Sequence, residues 1–270
     1  MPVEKINSHN MYYEVHGTGE PLICSGGWGT FCHGNVHHLP RGLTERYSVV
    51  IFDHRGIGKS NDDFSLPSTT RLYAEDVIEL LNRLGIEQAH FVGIIGIGAC
   101  IFQEVAILRP DLVRSLVNTG TWALPDTKFE DQLSLWLDVH RTMGFESFQK
   151  MVVMEGFSPE FYEQNKEKLL GPAGAWSDLK GHITTHQRLT EAGLSHNTLD
   201  RLHYIKAPTL VMHNGLDFIT APRLTMPVEE GIPNSVGYLM PEAAHVATGK
   251  EARIEFCRVL LDFLREHETN

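Results

Sequence analysis

Five short stretches hold most of the residues whose types can do chemistry. They are Ser25-Gly26-Gly27-Trp28-Gly29, Asp53-His54-Arg55-Gly56-Ile57-Gly58-Lys59-Ser60, GIIGIGAC at 93–100, LDFIT at 216–220 and PEAAHVA at 241–247. Each follows an apolar run of strand type. In open α/β sheets, ligands sit beyond the carboxyl ends of the strands, so these loops are where a site is expected. They offer carboxylates, imidazoles, hydroxyls and glycine-flanked backbone N–H groups, which can transfer protons or hold an oxyanion. "GIIGIG" lacks the full G-x-G-x-x-G of a dinucleotide site, and no cofactor is expected. His33 and His37 are four apart, which puts both on one helical face, with His38 beside them. Imidazole is a common metal ligand. No carboxylate or cysteine completes a set, so these histidines are read as solvated or pocket-lining and no metal is expected. Cys24 ends a buried strand and Cys100 points from a helix into packing, so neither is read as a nucleophile.

The elements that carry these loops are legible as periodicity. Apolar runs at 21–27, 47–56, 89–94, 113–120, 208–215 and 235–241 read as parallel strands covered on both faces. Residues 4–17 read as an antiparallel hairpin at the sheet edge. Between the strands lie helical stretches. One at 69–85 gathers Leu72, Tyr73, Val77, Leu80, Leu81 and Leu84 on one face, and Gly85 ends it. Another at 251–268 gathers Ile254, Phe256, Cys257, Leu260, Leu261 and Leu264. Alternating strands and helices imply an α/β fold with a mostly parallel sheet. Residues 122–200 lack strand runs and read as a helical insert. The expected domains are therefore a core of 1–121 and 201–270, and an insert of 122–200.

Composition bounds the partners. A net charge of −11 argues against a nucleic-acid or anionic-membrane partner. No apolar run approaches the roughly 18 residues of a membrane span. The N-terminal residues show no secretion-signal pattern, and the four cysteines form no CxxC pair. A cytoplasmic protein acting on a small-molecule substrate is expected, with a homodimer left open.

In order, the five loops resemble those of the α/β-hydrolase superfamily over nearly the whole chain. That family's first loop lends backbone N–H groups to an oxyanion hole, and Ser25 to Gly29 takes its place. The stretch 53–60 is similar to the family's D-x-R-G-x-G-x-S. Asp217 matches the family's acid, Ala244-His245 matches the setting of its histidine, and the insert at 122–200 matches its helical lid. The resemblance implies a His245–Asp217 dyad, with Asp217 fixing the imidazole tautomer and His245 acting as general acid or base. It implies oxyanion donors among Gly27, Trp28 and Ile97. Ile95, Trp122 and Trp136, with the Trp28 indole, would line the substrate pocket. Phe145, Phe148, Met151, Met154 and Phe157 are further candidates for lining it.

The departure is at the nucleophile elbow, G-x-S-x-G. Counting forward from the strand puts the serine position at Ile95, and counting back from Pro110 puts it at Gly96. The elbow residue has positive φ, which suits glycine and not a β-branched residue, so Gly96 is the preferred tip. Either register makes this an atypical member lacking the elbow serine. An enzyme working without a covalent intermediate is expected, on a small aromatic or alicyclic carbonyl compound. Its chemistry is either water-mediated hydrolysis or a lyase, decarboxylase or isomerase reaction. A cofactor-free oxygenase and a catalytically silent ligand-binding member are the alternatives.

Overall fold

The computed structural model describes residues 3–28 and 36–269. Its strands are β1 (Val3–Ile6), β2 (His9–His16), β3 (Glu20–Ser25), β4 (Tyr47–Phe52), β5 (Ala89–Gly93), β6 (Val113–Thr119), β7 (Thr209–Asn214) and β8 (Ser235–Met240). They form one sheet in the order β1-β2-β4-β3-β5-β6-β7-β8. β1 pairs with β2, and β2 with β4, antiparallel; every other pairing is parallel. Parallel neighbours need crossovers. A short helical turn α1 (Leu43–Arg46) precedes β4. α2 (Thr70–Arg83) and α3 (Ile97–Leu108) serve the following strands. Between β6 and β7 run α4 (Thr127–Met143), α5 (Phe145–Gly156), α6 (Pro159–Leu169) and α7 (Ile183–Leu194). α8 (Ala221–Gly231) joins β7 to β8, and α9 (Lys250–Arg265) follows. Among the described residues no helix is long and apolar enough to cross a membrane.

The central strand β5 is buried along its whole length, as its unbroken apolar run predicts. β8 departs from that reading. It is the outer strand, and Val236 and Leu239 are 54% and 55% exposed. α2 begins where Thr69 Oγ1 accepts from the Leu72 N–H at 3.0 Å, and it buries Tyr73, Val77, Leu80 and Leu81. α9 follows the predicted stripe except at its start, and Phe256 and Leu261 pack partly buried against the core. Val259, Leu260, Phe263 and Leu264 are buried, whereas Ile254 is 59% exposed. Its first turns lie beside exposed β8, where Tyr238 Oη donates to Glu255 at 2.7 Å, while Ala252 and Phe256 pack partly buried against the core.

Two arginines fasten α7 to the sheet. Arg188 Nε donates to Asp62 at 2.6 Å, and Arg55 pairs with both Asp62 and Asp76 from inside the fold. Thr185 Oγ1 adds a bond to the Gly56 carbonyl at 3.0 Å. The 53–60 loop therefore acts as a structural clamp: Arg55 is spent on buried pairing, and Ser60 Oγ donates to the Asp53 carbonyl at 2.8 Å.

Candidate active site

The loops after β7 and β8 bring Asp217 and His245 together. Asp217 Oδ2 accepts from His245 Nδ1 at 2.9 Å, and both side chains are buried. The carboxylate is fixed from three further directions. Oδ1 accepts the Ile219 and Thr220 N–H groups at 2.7 and 2.9 Å, and Oδ2 accepts the Thr220 hydroxyl at 2.7 Å. Thr220 Oγ1 is also 3.3 Å from His245 Nδ1. The His245 loop is itself held. Asn214 Nδ2 donates to the Ala244 and His245 carbonyls at 2.8 and 3.2 Å, and Val246 N–H donates to the Gly156 carbonyl at the end of α5. The imidazole lies against Gly120, where a Cβ would sit only 3.1 Å from Cε1. With Nδ1 committed to the carboxylate, Nε2 is the nitrogen left for chemistry.

Burial pushes the Asp217 carboxyl upward, but the adjacent His245 ring and the bonds from His245 and Thr220 outweigh it and hold the group at about 2. The ordinary unfolded value is about 3.9. A folded value below the unfolded one contributes stability above pH 4, and that contribution is lost as pH falls toward 2. Asp217→Asn lacks it. The stability gap between wild type and this variant is therefore expected to shrink by about 2 kcal/mol between pH 5 and pH 2. Urea unfolding across that range checks this, and a gap that stays constant with pH counts against the assignment.

The strand–turn–helix change falls at residues 94–96. β5 ends at Gly93, and Gly96 caps α3 with φ 70° and ψ −135°. Ile95, which the steric argument excluded from such a conformation, also has positive φ, at 67°. The two candidate registers differ by one residue, and the backbone absorbs that residue in two successive left-handed steps. For a β-branched residue this costs about 1–2 kcal/mol. The end of β6 holds it in place: Ile95 N–H donates to Thr119 Oγ1 and Gly96 N–H to the Gly120 carbonyl, both at 2.9 Å. Side chains at 94, 95 and 97 are isoleucine, and Gly96 has none. Among the described residues, a Cβ at Gly96 would meet only Gly27 Cα, at an ordinary 3.7 Å.

The first turn of α3 presses on the loop after β3. A Cβ at Gly98 would collide with the Gly26 carbonyl and with Ser25 Oγ. Gly98→Ala is therefore expected to destabilise the protein by about 1–3 kcal/mol, the usual penalty of overpacking. An unchanged melting temperature would count against this close approach. Ser25 Oγ faces His54 Nε2 at 3.1 Å, and burial lowers that imidazole to about 4. The pair underpins the loop and does not border the cavity.

Above the dyad lies a small apolar cavity of about 30 Å³. All four tryptophans of the chain border it: Trp28, Trp122, Trp136 and Trp176. Phe129, Leu133, Ile95 and Ile219 complete the apolar wall, and Thr220, His245 and Gly96 form its reactive side. Ile97 is the first helical residue of α3 and is buried beside this side. Trp176, Phe129, Leu133, Ile219 and Thr220 were not predicted. Thr220 had a local signal, since a Thr three residues after Asp217 can close a turn on the carboxylate. Trp176 had none.

Other candidates fall elsewhere. Phe145 and Phe148 are buried in the helical segment but do not border the cavity, and Met154 is 54% exposed on the outer side of α5. α5 buries Phe148, Val152 and Val153, which turns Met154 toward solvent. His33 lies outside the described residues, as does the side chain of His37; Val36–His38 is a single 3-10 turn. Among the described residues no three His, Cys, Asp or Glu side chains gather as a metal site. Burial raises the Cys100 thiol to about 12, and it donates to the Trp122 carbonyl.

The parallel sheet, the turn at 94–96 and the Asp and His loops together describe a hydrolase-type architecture. A family model for the alpha/beta hydrolase fold matches residues 20–251, and the chain belongs to that family. It is 27% identical over 261 residues to the "Putative carbamate hydrolase RutD" of Stutzerimonas stutzeri, covering 95% of this chain and 97% of that one. It is 27% identical over 248 residues to the "Putative non-heme bromoperoxidase BpoC" of Mycobacterium tuberculosis, covering 88% and 91%. The crystal structure of MGS-M2, an alpha/beta hydrolase enzyme from a Medee basin deep-sea metagenome library, shares the fold. It superposes with a TM-score of 0.88 at 22% identity, over 100% of this chain and 99% of that one.

Proposed function

We propose that this chain is a hydrolase that acts on small, apolar carbonyl compounds without a covalent intermediate. The observation that carries this reading is the pairing of His245 with Asp217 beside an elbow whose tip, Gly96, has no side chain. His245 Nε2 takes a proton from a water molecule in the space beside Gly96. The water oxygen bonds to the substrate carbonyl carbon, and the charge on the carbonyl oxygen is received by backbone N–H groups of Gly27 or Trp28 and of Ile97. The tetrahedral species collapses, the bond to the leaving group breaks, and His245 returns the proton to it. Asp217 holds the imidazole with Nε2 toward the cavity throughout. Residues 122–200 act as a lid that excludes bulk water, and the tryptophan walls select flat, uncharged molecules.

The likeness to a protein named as a carbamate hydrolase favours hydrolysis over the lyase, decarboxylase and isomerase alternatives. Carbamates join a planar carbonyl to a leaving alcohol, the group that the proposed steps would cleave. The test is release of phenol from small aryl carbamates, with aryl esters and lactones run beside them. Catalytic release, many product molecules per protein, is expected from at least one class. No turnover of any of them, together with saturable binding, would replace this reading with that of a ligand-binding member.

A further inference from the structure

Thr220 meets the Asp217 carboxylate twice. Its backbone N–H and that of Ile219 donate to Oδ1 at 2.9 and 2.7 Å, a turn that pins this oxygen from the main chain. Its hydroxyl donates to the other oxygen, Oδ2, at 2.7 Å. Oδ2 is also the atom that accepts from His245 Nδ1 at 2.9 Å, and Thr220 Oγ1 stands 3.3 Å from that same nitrogen. Oγ1, Oδ2 and Nδ1 therefore close a triangle in which two donors share one acceptor. The carboxylate does not need the hydroxyl to keep its place, because Oδ1 is already held by two N–H groups. What the hydroxyl changes is the negative charge that Oδ2 presents to the imidazole. It is not set up as a nucleophile. Its proton goes to Oδ2, and it meets the ring at Nδ1, whereas the base acts through Nε2. The charged side chains of the surrounding elements are engaged elsewhere. Arg223 of α8 donates to Asp126 at 2.7 Å, and Lys128 of α4 lies over the exposed Phe218 ring. Glu155 of α5 accepts from Gln132 and Trp136, and Glu242 of the His245 loop is exposed. The turn at 94–97 and residues 118–121 at the end of β6 carry no charge.

We infer that Thr220 is a positioning residue whose hydroxyl moderates the His245–Asp217 pair. By sharing Oδ2 it weakens the hold of the carboxylate on the protonated ring. This rests on the hydrolase reading and deepens it. In that reading His245 Nε2 first takes a proton from water and then returns it to the leaving group. A ring held too strongly in its protonated form would keep that proton, and the hydroxyl lets it go. Without the hydroxyl, Oδ2 turns its full charge toward Nδ1, and the protonated ring is favoured.

The test is an NMR titration of the intact protein carrying carbon-13 at histidine Cε1. The His245 signal is the one missing from His245→Ala. Thr220→Val keeps the side-chain shape and the backbone N–H and removes the donor. It is expected to raise the proton affinity of His245 about three- to tenfold, which moves the titration midpoint up by about 0.5–1 pH unit. Thr220→Ser restores the hydroxyl and should titrate as wild type does. A midpoint that stays or falls in Thr220→Val, or that rises equally in Thr220→Ser, would overturn the inference. If Thr220→Val does not fold, Thr220→Ala is read by the same criteria. The acid limb of the pH–rate profile for carbamate turnover should rise together with the midpoint. A risen midpoint with an unmoved limb, or with no turnover by wild type, supports the moderating role of Thr220 and counts against the hydrolase reading.

Discussion

His245→Ala is expected to lower carbamate turnover roughly 10²–10⁴-fold, the usual worth of a positioned general base. His245 is 4% exposed, so the substitution removes a buried ring and not a surface one. The fold should nevertheless survive. Asp217 keeps its bonds from the Ile219 and Thr220 N–H groups and from the Thr220 hydroxyl. The carboxylate is therefore not left unpaired, and the loss of stability should be about 1–3 kcal/mol. Added imidazole should restore part of the rate, because the vacated space borders the cavity. Steady-state rates with circular dichroism melting measure both effects. A purified variant within threefold of wild type would remove His245 from the mechanism.

The second large effect is on covalent labelling. Fluorophosphonates and sulfonyl fluorides label a serine whose proton an adjacent histidine accepts. Residues 94–97 have no hydroxyl to offer, and Ser25 is turned toward buried His54. Wild type should therefore show no adduct at the elbow and no burst of product with activated esters. Gly96→Ser should change this from no labelling to near-stoichiometric labelling. Among the described residues space exists for the new side chain, whose Cβ would meet only Gly27 Cα at 3.7 Å. The φ of 70° will cost roughly 1–3 kcal/mol in stability. Ile95→Ser is the control for the other register and should stay unlabelled. Peptide mass spectrometry after probe treatment gives the answer. An adduct on any cavity residue of wild type, formed as fast as turnover, would mean that a covalent nucleophile exists.

The readable part of this protein was the part fixed by the sheet. Strand ends dictate where loops emerge, so the 93–98 turn and the loops at 216–220 and 241–247 could be located from apolar runs, and the resemblance to the α/β-hydrolase superfamily singled out Asp217 and His245 within them. The conformation of Ile95 could not. Its left-handed backbone is an unfavourable local choice that only the neighbouring end of β6 imposes, through Thr119 and Gly120. Trp176 was equally silent, because it reaches the cavity through an irregular segment with φ 59° at its own position and no periodicity around it. On α9 only the place of Ile254 was misread, for a related reason. A hydrophobic stripe states that a helix has a layer to meet but not where that layer stops, and α9 begins beside an outer strand that is itself exposed.

The placement of every tryptophan around one cavity has a spectroscopic consequence. The protein has no indole elsewhere to add a constant background to its ultraviolet emission. Emission excited selectively from tryptophan therefore observes the surroundings of this cavity and no other part of the molecule. A ligand that enters should quench or shift nearly the whole signal. By the same token, a thermal melt followed by that emission reports the loosening of these surroundings, whereas far-ultraviolet dichroism reports the sheet and its crossover helices. Two midpoints that separate would show the cavity opening before the fold is lost. Two that coincide would show that the clamp of Arg188 and Arg55 makes the two events one.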